Sequence, residues 1–234
     1  MGQAIFITGT DTGVGKTYFT CGLARLLTSY GYSVGVMKPA ETGCAARDGG
    51  LYPEDAWRLK DASECAESIE TICPYRLPEP LAPSIAAERA GVKIDIDRLL
   101  TILDAIKTAH DITLVEGAGG LMVPLLPSYT FADFARVAKL PAIVVAANKL
   151  GVINHLLLTL EHASCQGLTL LGYVLNQLSK EPSLASETNR EVLSGLTGVA
   201  CLGELPFQDA GAQSVELFEA EVDLRTIELL IGKI

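Results

Sequence analysis

The chain has 234 residues, 49% of them hydrophobic, enough to bury a large core, and a single α/β domain over 1–234 is expected. Its 28 Asp and Glu against 18 Lys and Arg leave a net charge of -10, which argues against nucleic acid or an anionic membrane as partner. The six cysteines form no CxxC pair, no apolar run reaches membrane-spanning length without a glycine or charge, and no signal peptide is expected; reduced thiols in a cytoplasmic protein fit best.

In chain order, Ala4-Ile5-Phe6-Ile7-Thr8 is a β-branched apolar run that predicts a buried strand. It leads into Gly9-Thr10-Asp11-Thr12-Gly13-Val14-Gly15-Lys16-Thr17, a phosphate-binding loop of Walker A kind. The usual spacing is G-x-x-x-x-G-K-[ST]; here Thr10 holds the first glycine position and Gly9 stands one residue earlier. Phe19, Leu23, Leu26, Leu27 and Tyr30 then recur at helical spacing, and Gly31 offers a stop. Glycines let backbone N–H groups close around phosphate oxygens, and the helix start adds its dipole. Lys16 supplies a cation for the outer phosphates and the Thr17 hydroxyl a ligand for Mg²⁺. The coincidence of strand, loop and helix predicts a nucleoside triphosphate site.

Ser33 to Met37 is the second strand, ending at Lys38-Pro39. Residues 40–54 are expected to be loop, with a helix from Glu54 through Leu59. The four-proline stretch Cys73 to Pro83 is expected to be irregular and to cover the site. Asp95 caps a helix whose apolar face is Ile96, Leu99, Leu100, Leu103 and Ile106. Further strands are predicted at Ile112–Val115, Ala142–Ala147, Leu168–Leu175 and Val199–Leu202. Helices are predicted over Phe131–Ala138, around Ile153–Leu160, over Leu184–Leu196 and over Leu224–Leu230. This alternation predicts a mostly parallel central sheet flanked by helices on both faces, P-loop NTPase-like.

Ligands gather at the carboxyl ends of such strands. Lys38 stands at one of these ends, either as a surface lysine or as a second cation for a transferring phosphoryl group. Glu116 stands at another, where a second acid holds Mg²⁺. Gly117–Gly120 beside it is either a simple turn or a close approach for substrate. Asp55 is a third metal-ligand candidate, with a helix N-cap or first-turn acid as its alternative. Asn148-Lys149-Leu150-Gly151 is similar to the NKxD element that reads guanine, but Gly151 replaces the acid, so ATP is favoured over GTP. His110, His155 and His162 are scattered; only His155, after Asn154 at a helix start, is a candidate to line the site.

Together GTDTGVGKT (Gly9–Thr17), Lys38-Pro39 with Thr42-Gly43, EGAGG (Glu116–Gly120) with Val123-Pro124-Leu125, KLGVINH (Lys149–His155), Val174-Leu175-Asn176 and Leu202-Gly203-Glu204-Leu205-Pro206 resemble dethiobiotin synthetase. The likeness runs in order from the first strand to about Pro206, and the displaced first glycine is how that family writes its loop. It implies an ATP-dependent ligase that closes a cyclic urea from 7,8-diaminopelargonic acid and CO₂, through a carbamate and a carbamic-phosphoric anhydride. By that resemblance Lys16, Lys38 and Thr42 would serve the transfer, and Thr17, Asp55 and Glu116 would hold Mg²⁺. ATP would lie on Asp11, Thr12, Gly13, Val14, Gly15, Lys16 and Thr17, with Glu116, Gly117, Asn176 at the adenine and backbone near Pro206. Substrate would meet Thr12, Lys38, Thr42 and Gly119, and in a homodimer the partner's helix start at Gly151, Val152 and Asn154. The alternatives are an amide-forming ligase of the same clan, for which the chain is too short to hold a glutaminase domain, and a partition-type ATPase switch. The switch would need a lysine early in the loop, where Thr10 and Asp11 stand. Glu41, just before Thr42, adds a charge near the reacting end.

Overall fold

The computed structural model describes residues 2–47, 49–208 and 214–225. The chain opens with β1 (Gln3–Gly9), α1 (Lys16–Ser29) and β2 (Val34–Met37). Three short strands follow, β3 (Ala40–Thr42), β4 (Ala45–Arg47) and β5 (Gly50–Tyr52). Next come α2 (Glu54–Ser63), α3 (Ile69–Ile72), β6 (Tyr75–Leu77), α4 (Pro83–Arg89), α5 (Ile96–Ala109) and β7 (Ile112–Gly120). The second half holds β8 (Pro124–Leu126), β9 (Tyr129–Thr130), α6 (Phe131–Val137), β10 (Ala142–Ala147) and α7 (Val152–Cys165). It closes with β11 (Leu170–Asn176), α8 (Leu184–Leu196), β12 (Cys201–Leu205) and α9 (Val215–Glu221).

Six strands form one sheet in the order β12-β11-β10-β1-β7-β2, every pairing parallel. Successive side chains of a strand point to opposite faces, so each buried strand feeds two cores. Ile5 and Ile7 pack with α1, α2 and α9, whereas Ala4 and Phe6 pack with α4, α5 and α6. Val144 and Ala146 of β10 meet α7 and α8. Helices therefore cover both faces, as the alternating pattern predicts.

The same parity positions the chemistry. Val36 and Leu114 face the α1 side, so Lys38 and Glu116, two residues further along β2 and β7, face it too. Met37 pairs with Val115 and Ile7 with Glu116, which sets the ends of three adjacent strands level.

Four expectations are corrected. Residues 40–54 are not plain loop: β3 pairs in parallel with β6, and β4 with β5 form a hairpin. The proline-rich stretch contains β6, and its last proline starts α4, because a helix tolerates proline at N1, where no N–H partner is needed. β7 does not end at Val115 but continues to Gly120, opposite Gly9 of β1, so Glu116–Gly120 is strand and not a turn. β12 starts at Cys201, two residues later than expected. The helix expected over Leu224–Leu230 lies outside the described residues beyond position 225.

Helix α9 alternates apolar and acidic residues and buries Phe218 against Tyr18 and Phe19, with Val215 packing beside it. Gly22 makes room for that ring, since a Cβ there would come within 2.0 Å of Phe218 Cζ. Gly22→Ala is expected to lower the unfolding free energy by about 1–3 kcal/mol through overpacking. The readout is a lower denaturant midpoint at constant slope; an unchanged midpoint would contradict it.

All six cysteines are free, and four are buried. Burial pushes the Cys21 thiol up to about 12, the reverse of an activated nucleophile. Among the described residues no helix is long and apolar enough to cross a membrane.

Candidate active site

The site is built where β1, β7 and β2 end. The loop after β1 is tied to β10, where Thr10 N–H donates to Val145 O at 3.0 Å, and closes on itself where Lys16 Nζ donates to Asp11 O at 2.9 Å. Gly15, at φ 95°, is the N-cap of α1 and adopts a conformation that favours glycine. A Cβ there would also sit 2.1 Å from Asn176 Nδ2, whose amide donates to Val14 O at 3.0 Å.

Lys38 Nζ donates to Glu116 Oε1 at 2.5 Å and to Asp55 Oδ2 at 2.8 Å. The Thr17 hydroxyl donates to the same Glu116 oxygen at 2.8 Å. Lys38 and Glu116 are buried, Glu116 completely, and Glu116 Oε2 has no hydrogen-bond partner among the described residues. Strand, loop and helix thus bring one ammonium, two carboxylates and a hydroxyl into contact. These groups open into a cleft of about 610 Å³ that also meets Lys16, Thr42 and, across it, Pro80 and Leu81.

Burial opposes the charge on Lys38, but the Glu116 and Asp55 carboxylates overcome it and hold the ammonium well above the ordinary lysine range. Burial likewise opposes ionisation of Asp55, and Lys38 reverses it, so Asp55 lies below the usual carboxylate range. For Lys16 the balance falls the other way. Burial first and the Lys38 charge second lower it to about 8.

An AAA domain family matches residues 3–213. The chain is 41% identical over 217 residues to the ATP-dependent dethiobiotin synthetase BioD of Thermodesulfovibrio yellowstonii, covering 88% of this chain and 90% of that protein. It is 38% identical over 227 residues to the protein of the same name from Bacillus licheniformis, covering 96% and 95%. The chain belongs to the dethiobiotin synthetase family. Two solved structures are similar in fold at low identity. One is the septum site-determining protein MinD of Pyrococcus horikoshii, complexed with Mg-ADP (TM-score 0.57, 18% identity, 100% of this chain and 92% of that one). The other is the cell division ATPase MinD of Pyrococcus furiosus (0.54, 19%, 100% and 98%).

Of the residues that the synthetase resemblance singles out, Thr12, Gly13, Gly15, Lys16, Thr17, Lys38, Thr42, Asp55, Glu116 and Gly119 line this one cleft. Gly119, at φ 68°, lies against Thr12: a Cβ there would be 3.5 Å from its Oγ1. Gly117 does not line the cleft. Its missing side chain makes room for the Phe6 ring, since a Cβ there would come within 2.9 Å of Phe6 Cζ, so packing explains this glycine. Asp11, Val14 and Val152 line a separate cavity of about 50 Å³ on the far side of the loop, with Lys149 and His155. Gly151, at φ 94°, caps α7, with Asn154 in its first turn. Pro206 is exposed just beyond β12.

Asn148 is not a base reader. Its Nδ2 donates to Ser186 O at 3.0 Å and Glu204 Oε1 at 2.8 Å, and its Oδ1 accepts from Asn189 at 2.8 Å. It ties β10 to α8 and β12, and the amide that touches the phosphate loop is Asn176. His110 is structural, bonded to Glu67 and Ser33 at 2.7 and 2.8 Å. Asp55 is a first-turn residue of α2, not its N-cap, which is Pro53; its side chain turns to Lys38. Sequence reading missed the lining residues Arg58 and Val123 and the part played by Glu41. The one signal for Glu41 is that α2 begins at a proline and so lacks a capping side chain of its own.

Proposed function

We propose that this chain is an ATP-dependent dethiobiotin synthetase, converting 7,8-diaminopelargonic acid and CO₂ to a cyclic urea with release of ADP and phosphate. The observation that carries the reading is Lys38, an ammonium clamped between Asp55 and Glu116 beside a phosphate-type loop, in a chain about 40% identical to such enzymes.

One substrate amine loses a proton and bonds CO₂ as a carbamate. A carbamate oxygen attacks the γ-phosphorus, and the bond from that phosphorus to the ADP oxygen breaks. The second amine then attacks the carbonyl carbon, and phosphate leaves with the C–O electron pair. An ammonium has three N–H donors. Asp55 and Glu116 engage two of them on Lys38, which leaves one for a carbamate or phosphoryl oxygen. Because both anchors are fixed, that donor is aimed before charge develops, which favours the transition state over the ground state. Lys16 and the loop amides at Thr12, Gly13 and Gly15 would cradle the phosphates, and Thr42 lines the same cleft.

The donor set fits Mg²⁺: Thr17, Asp55 and Glu116 offer hard oxygens, and Glu116 Oε2 is a buried acceptor without a donor among the described residues. Among those residues no cluster of three or more His, Cys, Asp and Glu forms, so nucleotide and water oxygens would complete the shell. Bound there, Mg²⁺ would neutralise charge on the transferring phosphoryl group. Asn176, whose Nδ2 is bonded to the loop, would take the amino group of adenine on its carbonyl oxygen. The substrate carboxylate would rest on N–H groups at the α7 start of a second copy; exposed Leu150 and Leu158 beside it support a dimer contact there.

Incubation with the diamine acid, bicarbonate and MgATP is expected to give dethiobiotin, ADP and phosphate in equal amounts. ATP turnover indifferent to the diamine would overturn the reading.

The lowered Lys16 gives a pH signature. Phosphate oxygens favour its charged form, so nucleotide binding above pH 8 is expected to take up as much as about one proton. Calorimetry in buffers of different ionisation enthalpy at about pH 8.5 would reveal the uptake. ATP affinity is expected to fall as pH rises from about 8 towards 10, and a buffer-independent heat would contradict the assignment.

A further inference from the structure

We propose that Glu41 is a positioning residue for Asp55: by capping α2 from the stretch that carries Lys38 and Thr42, it fixes the carboxylate at the cation site. The proposal rests on the reading of Asp55 as a metal ligand.

Helix α2 has no side-chain cap from its own N-cap residue, Pro53. Glu41 takes that place from fourteen residues earlier in the chain, accepting from Asp55 N–H and Ala56 N–H through Oε1 and Oε2, each at 3.0 Å. A carboxylate here satisfies two orphan N–H groups and meets the positive end of the helix dipole. Glu41 is only 7% exposed, and its backbone is fixed in turn by β3, which pairs with β6 at Ala40–Tyr75, Glu41–Arg76 and Thr42–Leu77. Gly43 N–H to Glu79 O and Cys44 N–H to Leu77 O extend that anchorage.

Asp55 is therefore held at both ends by one short stretch of chain. Its carboxylate is bonded to Lys38 and its backbone N–H to Glu41, three residues on. A local Ser or Asp before α2 would cap the helix equally well, but it would leave the Lys38 bond as the one tie between Asp55 and the stretch that carries Lys38 and Thr42. The remote cap couples the two, as outer-shell partners orient metal ligands in other sites.

The test compares Glu41→Ala, Glu41→Gln, Asp55→Asn and the Glu41→Ala/Asp55→Asn double variant. Mn²⁺ is titrated into each protein with ADP and free metal is read by electron paramagnetic resonance. Hydrogen exchange at the Asp55 and Ala56 amides is followed in parallel. Glu41→Ala is expected to weaken Mn²⁺ binding about tenfold, with metal-free ADP affinity within about twofold of the parent. Exchange at both amides is expected to accelerate. Glu41→Gln, which keeps one acceptor oxygen, is expected to fall between the two, and it carries the comparison alone if the alanine variant does not fold. In the Asp55→Asn background the Glu41 change is expected to add nothing to the metal defect.

If Asp55→Asn weakens Mn²⁺ but the Glu41 variants titrate as wild type, losing only melting temperature, Glu41 is an ordinary cap and the proposal fails alone. If the two defects multiply, Glu41 does not act through Asp55, and the proposal fails again. If Asp55→Asn titrates as wild type, the metal-ligand reading fails and takes the proposal with it.

Discussion

Lys38→Ala is expected to lower kcat by about 10³-fold, the range for losing one preorganised donor to a developing charge. Metal-free ADP affinity is expected to stay close to wild type, because in the proposed site the loop amides and Lys16 would hold the diphosphate. The variant also leaves Glu116, wholly buried, and Asp55 without the ammonium that bonds both. Breaking a buried pair on one side costs about 3–5 kcal/mol, so a lower melting temperature should accompany the kinetic defect. The raised Lys38 pKa means that its stabilisation is fully present below the ordinary lysine value and is lost only as pH rises through the folded value. The lowered Asp55 pKa means that its share is lost only as pH falls through the acid range. The stability gap between parent and variant should therefore be flat from about pH 6 to pH 7 and widen above it, because the Lys38 charge helps lower Lys16 to about 8 and that penalty on the parent is relieved as Lys16 loses its proton. Lys38→Gln, which keeps a donor without its charge, should retain more stability than activity. An unchanged kcat in either variant would remove Lys38 from the chemistry.

Glu116→Gln carries the second large effect. The substitution removes a carboxylate that touches both Lys38 and Thr17, and it puts an amide where Oε2 now lacks a donor among the described residues. The magnesium concentration for half-maximal activity is expected to rise by roughly tenfold or more, with kcat falling as Lys38 loses one anchor. A wild-type magnesium titration would show that Glu116 serves Lys38 alone. A changed titration with unchanged kcat would show the reverse.

Much of this site is legible in the sequence. Lys38 and Glu116 each end a buried apolar run, and strand parity sends both towards the helix that follows the phosphate loop. The glycines and the GKT triplet mark that loop by local conformation, which a sequence displays directly. What it conceals are contacts made by side chains with no local partner. Glu41 stands fourteen residues before the Asp55 amide it caps, and short β3 finds β6 across a proline-rich stretch whose composition suggests no pairing. Asn148 and Asn176 stand at the ends of neighbouring strands, and nothing in their surroundings in sequence tells which amide turns to the loop. Gly117 reads as a ligand position because it follows Glu116, but alternation along β7 points it into the core against Phe6.

The pairing of Glu116 with partners 78 and 99 residues away has a kinetic meaning. Such distant groups meet only after β2, β7 and β1 have zipped together, late events in a chain whose loops must first close. Until then a refolding chain can own its helices and still retain no nucleotide. Recovery of nucleotide retention during refolding should thus lag the return of helical signal and mark the completed sheet.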